Sequence, residues 1–225
     1  MQKPVLEFEH VGRTYPGAAE VLALRDVSFR LDQGGFASLI GPSGSGKTTL
    51  LNIASGLDRP SSGHVRIEGT DLATLSTHEL SRFRSRKIGF VFQSHNLFPV
   101  LTALENVEYT SLIRGDSSAQ ARSRALRALE SVGLSDKLHA LPGQLSGGQQ
   151  QRVAVARSLA TEPAIIFADE PTASLDSTTA IQLIDLFERM NREYGTTFLF
   201  STHDSRLSDR VRQRFEVRDG NLRPD

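Results

Sequence analysis

An α/β fold is predicted: a mainly parallel central sheet, an N-terminal antiparallel β subdomain, and a helical subdomain inserted near the middle of the chain. Three observations predict it. The runs Phe36-Ala-Ser-Leu-Ile40, Ala164-Ile-Ile-Phe-Ala168 and Thr196-Thr-Phe-Leu-Phe200 are apolar on both faces, as strands buried between two layers must be. Helical patterns lie between them, including Thr178–Met190 with Ile181, Ile184, Phe187 and Met190 at helical spacing. Each apolar run passes directly into polar, glycine-containing or acidic residues.

The remaining elements follow in order. Val5–His10, Val27–Leu31 and Gly63–Glu68 read as short strands separated by turns with little helix, hence the antiparallel subdomain. The stretch from about His95 to Ala160 is mainly helical, and within it Ser118–Val132 spaces Leu126, Leu129 and Val132 for burial. Gly115-Asp-Ser-Ser118 reads as a surface turn. With 225 residues and neither repeats nor a low-complexity tail, one domain over 1–225 is expected, with helical residues 95–160 inside it.

Bulk composition narrows the chemistry. There is no cysteine, which excludes disulfides, thiolate metal sites and cysteine nucleophiles. Lys plus Arg equals Asp plus Glu at 26 each, so the basic excess of a sequence-independent nucleic-acid binder is missing and no nucleic-acid partner is expected. The start, MQKPVLEFEH, lacks the apolar core of a signal peptide, and no run approaches the roughly 18 apolar residues of a membrane span. A cytoplasmic location is expected, with any membrane attachment supplied by another protein.

Gly41, Pro42, Ser43, Gly44, Ser45, Gly46, Lys47 and Thr48 match the phosphate-loop pattern G-x-x-x-x-G-K-[ST] throughout. The context is right as well: strand 36–40 precedes the loop, and an apolar helix, Thr49–Ser55, follows it. The glycines let backbone N–H groups face phosphate oxygens. Lys47 is expected at the β- and γ-phosphates, the Thr48 hydroxyl at Mg²⁺ and Thr49 beside it in the same site, which makes the core a P-loop NTPase that binds a nucleotide with Mg²⁺. Ala164–Ala168 ends in Asp169-Glu170. Asp169 is the second candidate Mg²⁺ ligand, and Glu170 the candidate general base for the attacking water. His203 follows a third strand and is placed to contact the γ-phosphate. Gln93 ends Ile88-Gly-Phe-Val-Phe-Gln93 and is a candidate for the metal or the water. Tyr15 either stacks on a base or merely packs.

A second anion-type turn, Leu145-Ser146-Gly147-Gly148-Gln149, stands about a hundred residues downstream. It either just begins a helix or completes a phosphate site from the opposite side. The second option needs another copy of the chain, related by a two-fold axis, whose phosphate loop it covers.

The phosphate loop, Gln93, LSGGQQQR, the Asp169-Glu170 strand end, Ser174-Leu-Asp176 and His203 stand in an order and spacing that resembles an ATP-binding cassette (ABC) ATPase over nearly the whole chain. Phe36–Leu51, Ser61-Ser-Gly63, Lys87–Gln93 and Leu101–Val107 look more narrowly like the LolD/MacB lipoprotein-release and efflux group. One departure is visible: Thr172-Ala-Ser-Leu-Asp176 stands where that group commonly has Thr-Gly-Asn-Leu-Asp. The resemblance implies that Ser146, Gly147, Gly148 and Gln149 face a second copy in a head-to-tail dimer. It implies that Ser174 and Asp176 cross the interface and that Tyr15 stacks on adenine. It also implies a membrane permease as partner, contacted through Leu97, Phe98, Val100 and Leu101, which could otherwise simply pack the helical subdomain. Rival functions are a soluble ATPase of the same class in DNA repair or translation, a kinase, and a non-catalytic scaffold. The first usually carries coiled coils, a second cassette or basic extensions; the second has no need of LSGGQ; intact Glu170 and His203 speak against the third.

Overall fold

Ten strands form two sheets among residues 4–17 and 20–224, the part of the chain that the computed structural model describes. Residues 1–3 of the N-terminal stretch discussed above lie outside it. The chain runs through β1 (Pro4–Tyr15), β2 (Val21–Asp32), β3 (Phe36–Ile40), α1 (Lys47–Ala54), β4 (Ser62–Ile67), β5 (Thr70–Asp71), α2 (Thr77–Lys87) and β6 (Ile88–Phe92). It continues through α3 (Ala103–Ile113), α4 (Ser118–Ser131), α5 (Gly147–Leu159), β7 (Ile165–Asp169), α6 (Ser177–Tyr194), β8 (Phe198–Ser201), α7 (Ser205–Ser208), β9 (Gln213–Arg218) and β10 (Asn221–Pro224). The smaller sheet is antiparallel, in the order β2-β1-β4-β5. The larger has the order β10-β9-β3-β8-β7-β6; it is parallel from β9 to β6, and β10 pairs antiparallel at one edge.

The doubly apolar runs are explained by two cores, one on each face of the large sheet. Ala37, Leu39, Ile165, Phe167 and Leu199 face α1 and the small sheet. Their alternates Phe36, Ile166, Ala168, Phe198 and Phe200 face the helical layer. Phe187 of α6 packs on both Phe198 and Phe200, with ring centroids 5.3 and 5.2 Å apart. Burying each such ring contributes about 1.5–3 kcal/mol.

Helix starts are written locally. Ser76, Thr102, Ser117 and Ser146 each cap a helix and exchange hydrogen bonds with Glu79, Glu105, Gln120 and Gln149, three residues on. Two packing expectations hold except at one residue each: Ile184, Phe187 and Met190, and likewise Leu129 and Val132, are buried as expected. On α6 the buried stripe is Ala180, Leu183, Ile184, Phe187 and Met190, which leaves Ile181 41% exposed. On α4 it is Ala121, Ala125, Ala128 and Leu129, which leaves Leu126 37% exposed. In both helices small alanines belong to the buried stripe, which shifts its centre away from the bulkier exposed neighbour. The β9–β10 hairpin was not anticipated; its turn is Asp219-Gly220, both left-handed at φ 50 and 76°.

Candidate functional site

The parallel register brings the predicted residues to one edge. Phe92 lies beside Asp169 and Asp169 beside Ser201, while Leu39 also pairs with Ser201. The segments that begin at Gly41, Gln93, Glu170 and Thr202 therefore all leave the carboxyl ends of neighbouring strands, where open α/β sheets bind ligands. A cleft of about 960 Å³ opens there. It is lined by Tyr15, Gly41, Pro42, Ser43, Gly44, Gly46, Lys47, Thr48, Thr49, Glu170 and His203 among the predicted residues. Val21, Leu22, Ser201, Asp219 and Gly220 line it too and were not foreseen. The Asp-Gly dipeptide between two alternating runs was the available sign of the last pair. A second cleft, about 750 Å³, lies at the opposite edge beside Pro163 and Thr196 and contains none of the predicted residues.

The phosphate loop is held in shape by what surrounds it. A side chain at Gly41 would collide with the Val217 carbonyl, and φ there is 148°. Gly46, at φ 110°, caps α1, and a Cβ there would approach the Ala23 carbonyl at 2.7 Å. Ser45 is buried beneath the loop, and its carbonyl accepts from Gly220 N at 3.0 Å. Lys47 Nζ folds back to donate to Gly41 O at 2.8 Å and Pro42 O at 3.0 Å. Its ammonium thus sits at the concave side of the loop, 9% exposed, where phosphate oxygens would replace those carbonyls.

Beside it stand the two acids. His203 Nδ1 is 2.8 Å from Glu170 Oε1, and the Glu170 backbone is left-handed at φ 46°. A non-glycine residue held in that region is strained, a common mark of a site that fixes one side-chain direction. Asp169 is different. Burial pushes its pKa up and the Glu170 charge adds to this, against the Ser201 hydroxyl and the Lys47 ammonium. Its Oδ1 is buried with no hydrogen-bond partner. An orphaned carboxylate oxygen next to a phosphate loop fits a hard divalent cation. Among the described residues no three His, Asp or Glu side chains converge to hold a metal on their own. Such a cation would therefore need nucleotide oxygens as further ligands. The raised pKa has a testable sign. A carboxyl whose folded pKa exceeds its unfolded one favours folding at low pH, and this advantage disappears as pH rises through the folded value. Asp169→Asn should therefore melt above the parent at neutral pH and converge with it in acid. Thermal melts that show no gain at neutral pH would contradict an uncompensated Asp169.

Tyr15 is set in place before any ligand arrives. Its hydroxyl donates to Asp58 Oδ2 at 2.7 Å, and the Arg13 guanidinium lies 4.3 Å above its ring. Arg13 in turn pairs with Asp58 at 2.9 Å. A planar base has the opposite face of the ring to meet.

Other predicted residues are not in this cleft. Gln93 is exposed at the end of β6, three strands from β3, and its carbonyl accepts from the Ser174 hydroxyl at 3.4 Å. Asp176 caps α6, accepting from Thr178 N and Thr179 N at 3.0 Å each and from the Thr179 hydroxyl at 2.6 Å. Ser146 and Gln149 cap each other at the exposed start of α5. The two glycines between them differ. A side chain on Gly148 would collide with Thr179, whereas one on Gly147 would find only Leu175 Cδ2, at 3.9 Å. In the loop after Gln93, Val100 is 80% and Phe98 43% exposed, while Leu97 and Leu101 are half-buried, Leu97 against the helical-side core.

Comparison with known proteins places this geometry among transporter subunits. A family model described as ABC transporter matches residues 24–173. The chain is 45% identical over 223 residues to the lipoprotein-releasing system ATP-binding protein LolD of Bordetella pertussis, covering 99% of this chain and 96% of that one. It is 44% identical over 224 residues to the macrolide export ATP-binding/permease protein MacB of Syntrophobacter fumaroxidans, covering 98% of this chain but 31% of that longer protein. A solved dimer of an ATP-binding cassette in a post-hydrolysis state, with ADP and Pi bound, matches with a TM-score of 0.88 and 42% identity over 98% of this chain and 97% of that one.

Proposed function

The chain belongs to the ABC transporter family and is an ATP-hydrolysing subunit of it, and we propose that two copies close head to tail around two ATP to drive a membrane permease. One observation carries the two-copy reading: the bare, exposed Gly147. Gly148 is small because Thr179 fills its side-chain position. Nothing within the chain requires a glycine at 147, so the open approach to Ser146 and Gly147 serves something outside it. The N-terminus of α5 presents unpaired N–H groups there, suited to an anion. These residues do not line their own chain's cleft, and the post-hydrolysis relative is a dimer.

Within each site, Lys47 exchanges its two loop carbonyls for β- and γ-phosphate oxygens, and the N–H groups of residues 41–49 wrap the rest. Tyr15 takes adenine. When bound, Mg²⁺ would be held by Thr48 and Asp169, with Gln93 a further candidate, and would neutralise phosphate charge. Glu170 accepts a proton from the attacking water, and His203 fixes the carboxylate and contacts the γ-phosphate. From the second copy, Ser146, Gly147, Gly148 and Gln149 close over that phosphate, while Ser174 and Asp176 lie along the interface. Moving a two-state equilibrium from 1:99 to 99:1 takes about 5.5 kcal/mol. Several charge-assisted hydrogen bonds at about 1.5–3 kcal/mol each, made at two sites, suffice. Cleavage of the γ-phosphate removes the shared ligand, and the pair reopens.

Among the described residues no helix is long and apolar enough to cross a membrane. We therefore place the whole chain, 1–225, as one cassette on the cytoplasmic face, held there by its permease. Phe98, Val100 and Leu101 form the contact. Phe98 stands edge-on against Tyr109, 4.9 Å between centroids, which lends it a firm base. Placing a charge there is expected to weaken permease association by about 30-fold, the loss of one anchor residue. Unstimulated ATPase activity should be unchanged. Phe98→Asp that co-purifies with the permease as the parent does would displace the contact from this loop. The LolD and MacB likeness points to lipoprotein release or efflux.

A further inference from the structure

The segment that joins Gln93 to the exposed apolar run is held by a single side chain from α5. Arg157 Nη1 donates to Asn96 O at 2.6 Å and Nη2 to His95 O at 2.9 Å. Both acceptors are left-handed non-glycine residues, at φ 47 and 51°. Two in succession form a sparsely populated turn, which Asn and His tolerate better than most residues and which partners for its carbonyls help to fix. No carboxylate lies within ion-pair range of Arg157 among the described residues, and burial lowers its pKa. A half-buried guanidinium normally finds an acid; this one finds only two carbonyls of one turn. The far end of the loop has its own anchor. Fully buried Asn106 of α3 accepts from Phe98 N at 2.8 Å and donates to the carbonyls of Phe98, Leu101 and Thr102. Two more residues of α5 reach the same strand and its end. Ser158 donates to Phe90 O at 2.6 Å, and Gln151 donates to Phe92 O at 3.3 Å and to Pro171 O, just past Glu170, at 3.0 Å.

We propose that Arg157 is a positioning residue that joins α5 and the 95–101 loop into one unit, so that nucleotide held at the N-terminus of α5 is felt at Phe98 and Val100. The helix has a phosphate-facing end at Ser146 and Gly147 and a loop-facing end at Arg157, one on each side of a rigid rod of 13 residues. A displacement of its first turn moves the guanidinium, and the two carbonyls follow because Arg157 is the side chain that hydrogen-bonds both of them, while Leu97 beside them adds apolar packing. This inference rests on the two-copy reading above.

The test needs only this chain and nucleotide. A Glu170→Gln background holds ATP without turning it over, size-exclusion chromatography reports the dimer, and hydrogen exchange reports peptides covering 95–101. ATP, but not ADP, should slow exchange of those peptides about 10-fold when the dimer forms. Arg157→Met keeps the apolar stem and removes the donors, and a thermal melt run beside the exchange experiment shows whether the variant is folded. It should still dimerise with ATP yet lose the loop response. Arg157→Lys keeps the charge but lacks the two-pronged donor, and should lose most of the response. A parent dimer whose loop ignores ATP, or an Arg157→Met dimer whose loop responds as the parent's does, overturns the proposal. Failure of the parent to dimerise would overturn the two-copy reading, and this inference with it.

Discussion

Glu170→Gln is expected to lower ATP turnover by about 10²–10⁴-fold, the usual contribution of a positioned general base. ATP affinity should change little, and an ATP-bound dimer should accumulate. Glutamine has the shape of glutamate, so the left-handed backbone at 170 and its N–H bond to the Ser201 carbonyl are undisturbed. Its amide oxygen can still accept from His203, which holds the carboxylate at 2.8 Å in the parent. What is lost is the ability to take a proton. None of the groups that wrap the triphosphate is touched, since Lys47 and the loop amides come from residues 41–49. Single-turnover hydrolysis and chromatography with ATP, measured side by side, separate binding from chemistry. Parent-like hydrolysis would remove Glu170 from the base role.

Exchanging the two glycines of the α5 cap should divide folding from association. Gly147→Asp has room for its Cβ, with only Leu175 Cδ2 at 3.9 Å, and melts near the parent temperature. Its carboxylate then faces an incoming phosphate, so ATP-driven dimerisation and cooperative ATPase activity fall by about 10²-fold or more, the cost of a like charge brought into a desolvated interface. Gly148→Ala behaves in the opposite way. Its methyl meets Thr179 at the start of α6, and overpacking there costs about 1–3 kcal/mol of stability. Equal loss of stability in both variants would mean that the cap is built only for internal packing, and the case for a second copy would lose its main support.

Much of this was legible in the sequence because the chemistry is local. The phosphate loop, Asp169-Glu170 and His203 each follow an apolar strand within a few residues, so the strand-end rule places them together without any knowledge of long-range contacts. On α4 and α6 most of the buried face was legible, but not that Leu126 and Ile181 lie outside it while Ala121, Ala125, Ala128 and Ala180, which carry little hydrophobic signal, lie within it. Leu97 looks in sequence like its exposed neighbours; only the fold shows that it points inward. Asp176 stands before Ser-Thr-Thr, the pattern of a helix cap, and its carboxylate is spent there. The grip of Arg157 on residues 61 and 62 positions away leaves no periodic trace at all.

The covering of β6 by α5 has one more consequence. β6 is the last strand of its sheet, and an exposed strand of this kind can zip onto another molecule through backbone groups. Here Ser158 and Gln151 occupy the carbonyls of Phe90 and Phe92. Those two carbonyls are thereby withheld from main-chain pairing with another molecule, a bond that would need no nucleotide to form and none to break.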